Sequence, residues 1–179
     1  MLKFLKMREE HLERVLNWRI RPEIKIHMLS DVENDLIKHK QWFQKISSSN
    51  SCKYWIISYD STLLGVINLA GIDYNYKHCT WGYYIGETDY RGLGGIIPPY
   101  LYNYIFLKMK FKKIFGEVLK ENEEIMRLHN LHGYRFVGEY KDHIFKNNKF
   151  HDVLLVELLD EAWFNLQNKY KRYIADFEE

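Results

Sequence analysis

The residues whose types and spacing could do chemistry begin at Tyr83. Tyr83-Tyr84-Ile85 ends an apolar, aromatic run of the kind that forms a strand. Gly86 to Ile97 follows, with glycines at 86, 92, 94 and 95 and one arginine, Arg91. Pro98-Pro99 then opens a segment that reads as a helix. Glycine leaves backbone amides uncovered by side chains. A helix start adds unpaired N–H groups and the positive end of a dipole. Strand, glycine loop and helix together make a cradle for phosphate. A plain structural glycine turn has the same letters, so the residues downstream must decide between the two.

The chain has 179 residues, which fits a single domain, 1–179, with a core that needs no metal or disulfide. Its formal charge of +2 gives no global basic field, so nucleic acid is not an expected partner. Cys52 and Cys79 lie far apart and form neither a disulfide scaffold nor a zinc pattern. They read as buried thiols in a reducing compartment. Met1-Leu2-Lys3-Phe4-Leu5-Lys6 is broken by lysines and is not a signal sequence. No apolar run is long enough to span a membrane, so the expected location is cytoplasmic. Aromatic residues make up 16% of the chain, enough to build a core and still leave a stacking surface for a flat ligand.

The elements that must position the glycine loop are legible as follows. Leu2–Met7 reads as a strand and Glu9–Arg19 as a helix that Pro22 ends or bends. A second helix is expected over Glu33–Ile46, with Leu36, Ile37, Phe43 and Ile46 on its apolar face. Tyr54–Tyr59, Leu63–Leu69 and Cys79–Ile85 read as an antiparallel meander with a turn at Asp60-Ser61. A helix over Pro98–Lys110 and a strand over Lys113–Leu119 come next. Asn122 is suited to cap a helix that ends near Leu131, before Gly133. Arg135–Phe145 and Phe150–Leu158 read as a hairpin around Asn147-Asn148, a type I′ signal. The tail from 160 to 177 reads as an amphipathic helix. This is an α+β order with one mostly antiparallel sheet.

That order, with its glycine loop between the fourth strand and the third helix, resembles the GNAT acetyltransferase fold. Two motifs carry the resemblance. The family's pyrophosphate loop, Arg/Gln-x-x-Gly-x-Gly/Ala, is matched by Arg91-Gly92-Leu93-Gly94-Gly95-Ile96, with Ile96 in place of the final small residue. The family's strand, Asn and helix ending in Tyr-x-x-x-Gly-Phe is matched from Glu117 through Asn122 to Gly133-Tyr134, with His129 in the tyrosine's place. Gly138 to Val153 is similar to the closing hairpin of the branch that includes ribosomal-protein and amino-sugar acetyltransferases. The likeness covers about residues 1–158, leaving 160–177 as a helical tail. Asn17–Pro22, His27-Met28, His39–Phe43, Tyr54–Ile57, Gly65–Leu69 and Trp81–Gly86 resemble one subgroup. These are the UDP-4-amino-4,6-dideoxy-N-acetyl-β-L-altrosamine N-acetyltransferases of pseudaminic acid biosynthesis.

The resemblance implies a central sheet splayed between strands four and five, with acetyl-CoA as co-substrate and no metal. It implies direct attack of an amine on the thioester, neither cysteine standing at a nucleophile position. Tyr83, Tyr84 and Ile85 would run beside the pantetheine arm. Arg91, Gly92, Leu93, Gly94, Gly95, Ile96 and Ile97 would hold the pyrophosphate, and Asn122 would cap its helix or touch the coenzyme. Glu117 would accept the amine proton, and His129 would protonate the leaving thiolate. Arg19, Met28, His39 and Trp42 would meet a nucleotide-linked amino sugar. Two other readings stay open: a protein N-terminal acetyltransferase of the ribosomal-protein kind, and a non-catalytic acyl-CoA-binding domain. The tail aromatics cover the sheet or form a homodimer contact.

Overall fold

Two tight turns fix the hairpins. Asp60 and Ser61 have φ of 46° and 68°, and Asn147 and Asn148 have φ of 52° and 59°. Positive φ at both central residues is what a type I′ turn requires, and its twist matches that of the flanking strands. The structure, a computed structural model, describes residues 2–179. The first turn joins β2 (Lys53–Tyr59) to β3 (Thr62–Asp73), and the second joins β6 (Arg135–Lys146) to β7 (Lys149–Leu159).

With β1 (Leu2–Lys6), β4 (His78–Ile85) and β5 (Lys113–Leu119), these strands form one seven-stranded sheet in the order β1-β2-β3-β4-β5-β7-β6. Every neighbouring pair is antiparallel except β4 and β5. One face carries α1 (Leu12–Arg19), α2 (Pro22–Lys25) and α3 (Leu36–Ser47). Their apolar side chains pack with Ile56 and Val66 into a smaller core. The opposite face carries α4 (Ile97–Asn103), continued by a π-helical turn to Lys108, and α5 (Glu123–Leu131). The larger core lies there, around Ile67, Leu101, Ile114 and Leu158.

Local chemistry explains the boundaries. Asp35 caps α3, its Oδ1 accepting from the amides of Ile37 and Lys38 at 2.9 and 3.0 Å. Asn122 caps α5 through the Ile125 amide at 3.3 Å. Gly133, with φ of 85°, supplies the left-handed residue beyond α5. Pro22 starts α2 rather than only ending α1. On α3 the buried residue is His39, while Leu36 and Ile37 are exposed, contrary to the apolar face expected from their spacing.

The tail is not one helix. It forms α6 (Asp160–Phe164) and α7 (Gln167–Tyr170), after which the chain extends. Phe177 bridges to Phe4 on the outer edge of β1, and the Glu178 amide donates to the Phe4 carbonyl at 3.0 Å. The two phenyl rings stack with centroids 4.2 Å apart, and Trp55 and Tyr104 close around Phe177. Unpaired β1 backbone together with an aromatic slot outcompetes the helical periodicity of residues 171–177.

Candidate active site

A gap opens in the middle of the sheet. β4 and β5 pair only at His78–Lys113 and Cys79–Ile114. Beyond those pairs the strands part, leaving the facing backbone of Thr80–Ile85 and of Phe115–Leu119 without a strand partner. A bulge ends β4: the amides of Gly86 and Glu87 both donate to the Leu64 carbonyl, at 2.7 and 3.1 Å. Gly86 is needed there because Trp18 lies against it. A Cβ at this position would come within 2.2 Å of the Trp18 ring. Trp18 Nε1 in turn donates to Glu87 Oε1 at 2.9 Å, and Arg21 donates to the Gly86 carbonyl.

The glycine loop follows at the mouth of this wedge as 3₁₀ turns over Thr88–Ile96. None of Gly92, Gly94 and Gly95 has positive φ, so their conformational freedom is not what the loop uses. A Cβ on Gly92 or Gly95 would meet nothing within 4 Å. These glycines leave bare backbone on an open surface, which suits contact with a phosphate. Ile96 has φ of −100° and ψ of −13° and is exposed, so its departure from the small-residue motif strains nothing. Tyr83 supports the loop from below, its hydroxyl donating to the Gly94 carbonyl at 3.2 Å. Arg91 lies 3.4 Å from Glu23 on the exposed surface. Unpaired strand edges beside bare glycine backbone fit the amide-bearing arm and diphosphate of acetyl-CoA.

His129 and Glu117 flank the wedge from opposite faces of the sheet. His129, on α5, packs against Tyr134 with centroids 4.2 Å apart, and against Trp81 of β4. It is buried, and its Nδ1 has no hydrogen-bond partner. Burial pushes its pKa down to about 4, so its ring is neutral at pH 7. This bears on the expected role of protonating the leaving thiolate: a ring that is neutral at pH 7 has a hydrogen bond to offer the sulfur and no spare proton. Glu117 alternates with Ile114 and Val118, which are buried in the larger core, and is exposed on the face that carries α1 to α3.

The four acceptor candidates converge on that same face. Met28 and Trp42 pack with Trp18, Tyr54 and Tyr84. Trp42 stacks on His39 with centroids 4.8 Å apart and meets Tyr54 edge-on. Arg19 donates through Nη2 to the Ser30 carbonyl at 2.7 Å, while its Nη1 is buried and unpaired. His39 Nε2 is also buried and unpaired. Burial lowers the pKa of His39, and the charge of Arg19 lowers it further. A guanidinium with a free donor beside stacked aromatic rings can meet phosphate and a flat base together.

Tyr54 and Tyr84 line this cluster and carry phenols that burial raises. Tyr54 is not a site candidate from sequence; only its place opposite Asn68 on neighbouring β3 brings it here. His132 is wholly buried inside a cage of Tyr102, Trp163 and Tyr170, with both ring nitrogens unpaired. Cys79 is buried in the larger core, and burial pushes its thiol up to about 12, which removes it as a nucleophile. Among the described residues no helix is long and apolar enough to cross a membrane.

Comparison with known proteins agrees with this geometry. The family model "Acetyltransferase (GNAT) domain" matches residues 6–155. The acetyltransferase PseH of Campylobacter jejuni (serotype O:23/36, strain 81-176) is 25% identical over 139 residues, covering 78% of this chain and 86% of that protein. An uncharacterized prophage-derived N-acetyltransferase of Bacillus subtilis, YokL, is 24% identical over 127 residues, covering 69% and 71%. The crystal structure of a spermidine N-acetyltransferase from Vibrio cholerae with CoA and spermine superposes with a TM-score of 0.84 at 17% identity, covering 92% of this chain and 98% of that one. A parted sheet, a bare glycine loop and a family match across most of the length lead to one conclusion: the chain belongs to the GNAT acetyltransferase family and is an acetyl-CoA-dependent N-acetyltransferase.

Proposed function

We propose that this enzyme acetylates the 4-amino group of a nucleotide-linked amino-deoxy sugar. The observation that carries the reading is the acceptor face. Arg19, with an unspent buried donor, lies close enough to the His39–Trp42 stack for its charge to act on His39, on the sheet face that carries α1 to α3. A nucleotide diphosphate offers the anion and the flat base that such a pair recognises. The likeness to PseH, and the subgroup motifs through His27-Met28 and His39–Phe43, support the same acceptor. A polyamine is disfavoured by the Arg19 guanidinium and by Glu23, Asp31 and Glu33, which are already ion-paired.

Acetyl-CoA supplies an activated acyl group. Gly92 to Ile97 and Arg91 hold its diphosphate, and the β4 edge from Tyr83 to Ile85 pairs with its amide-bearing arm. The sugar nitrogen attacks the thioester carbon and the carbon–sulfur bond breaks. One proton leaves nitrogen and one reaches sulfur. Glu117, on the acceptor face, takes the first directly or through water. His129, on the other face, is a neutral ring and so gives the departing sulfur an N–H hydrogen bond, while the sulfur takes its proton from water.

The test offers acetyl-CoA with a UDP-linked 4-amino-4,6-dideoxy sugar and, in parallel, with a peptide bearing a free N-terminus. Acetylation of the sugar supports the proposal. Transfer to the peptide alone replaces it with the protein N-terminal reading.

A further inference from the structure

The acceptor side contains a buried charge that neither the fold nor the chemistry above explains. Lys146, the last residue of β6, sits at the tip of the β6–β7 hairpin with its side chain only 4% exposed. Its ammonium donates to the Lys25 carbonyl at 2.6 Å and the Met28 carbonyl at 2.7 Å, and lies 3.1 Å from Asp31 Oδ1. An ammonium has three donors, and all three are used on one short segment. Asp31 also lies 3.4 Å from Lys25. Burial pushes the Asp31 carboxyl up, but the Lys146 hydrogen bond and charge, with Lys25, outweigh it and hold it below the usual carboxylate range.

The held segment carries substrate candidates. The Met28 side chain packs into the Trp18–Trp42–Tyr54 cluster, and the Ser30 carbonyl accepts from Arg19. Separating the hairpin tip from residues 25–31 would break all three of these charged contacts at once. On its other side the tip is tied to the start of α5. His151 bonds the Lys146 carbonyl through Nε2 at 3.1 Å and Glu121 through Nδ1 at 2.9 Å, next to the capping Asn122.

We propose that Lys146 is a positioning residue for acetyl transfer: it orders residues 25–31 so that Met28 and Arg19 are held ready for the acceptor, while touching no substrate itself. The proposal rests on the reading that the acceptor lies against α1 to α3. A simple strut would lower the melting temperature and leave the kinetic constants of the folded enzyme alone.

Lys146→Met keeps the stem and removes the donors. Loss of charged hydrogen bonds of this kind corresponds to about tenfold or more in equilibrium. The expected result is amide exchange at residues 25–28 faster by about tenfold or more, and an acceptor KM raised by a similar factor. The KM for acetyl-CoA should stay within about twofold. Asp31→Asn leaves the ammonium on its two carbonyls and should raise the acceptor KM less. Unchanged exchange, an unchanged acceptor KM, or an equal rise in both KM values would each overturn the proposal. If Lys146→Met does not fold, Asp31→Asn decides by the same two readings. If the wild-type enzyme acetylates none of the amines offered, the substrate reading fails by itself, and exchange at 25–28 still decides whether Lys146 orders the segment.

Discussion

Acid should destabilise this protein chiefly through two histidines. His129 is 4% exposed and His132 wholly buried, and burial pushes both from 6.5 to about 4. The unfolded chain takes up a proton at each from pH 6.5 downward, whereas the folded chain does so only near pH 4. Stability from these groups is therefore complete above pH 6.5 and is lost as pH falls toward 4. At about 1.4 kcal/mol per pH unit, each contributes about 3 kcal/mol over that interval. His129 also lowers His132, so the two take up protons as a coupled pair and the sum is an upper bound. Against a typical total of about 5–15 kcal/mol, that is a large share. Urea titrations at steps from pH 7 to 4.5 would measure it in the wild type and in His132→Phe. The phenyl ring suits the cage of Tyr102, Trp163 and Tyr170, and no hydrogen bond is lost, so the variant should match the wild type at pH 7 within about 1 kcal/mol. Below pH 6.5 it should lose about half as much stability. A variant that weakens with acid as steeply as the wild type would refute the argument from burial.

Other substitutions probe the wedge. His129→Phe should lower turnover by about tenfold or more while the acetyl-CoA Kd, from calorimetry, stays within about twofold; unchanged turnover removes the residue from contact with the leaving sulfur. Gly95→Val should leave the melting temperature nearly unmoved, since nothing lies within 4 Å of its added Cβ, yet raise the acetyl-CoA KM by about tenfold. An unchanged KM would show that the coenzyme does not cover this loop. Gly86→Ala forces a methyl into the Trp18 ring and should destabilise by about 3 kcal/mol in a thermal melt.

Local chemistry made much of this readable from the chain. Asp60-Ser61 and Asn147-Asn148 are turn pairs whatever surrounds them, and Asn122 and Gly133 bracket α5 by capping alone. The parted sheet was legible only by family likeness, because strand periodicity says nothing about which neighbours separate. Long-range contacts were not legible. Residues 171–177 have helical spacing, but Phe177 finds Phe4 at the other end of the chain. On α3 the apolar spacing points to Leu36 and Ile37, while the residue buried is His39, stacked on Trp42. Lys146 looks like any charge beside a turn, and only the approach of Lys25, Met28 and Asp31 buries it.

The seam between β4 and β5 has a mechanical consequence. Among the described residues, two residue pairs, His78–Lys113 and Cys79–Ile114, form the ladder that joins a four-stranded plate to a three-stranded one. Away from that seam the halves are tied by side chains instead of ladder bonds: Trp81 Nε1 donates to the Tyr134 hydroxyl at 2.8 Å, and Lys146 holds the Lys25 and Met28 carbonyls. A molecule lying along both free edges would act as the missing rung and stiffen the joint.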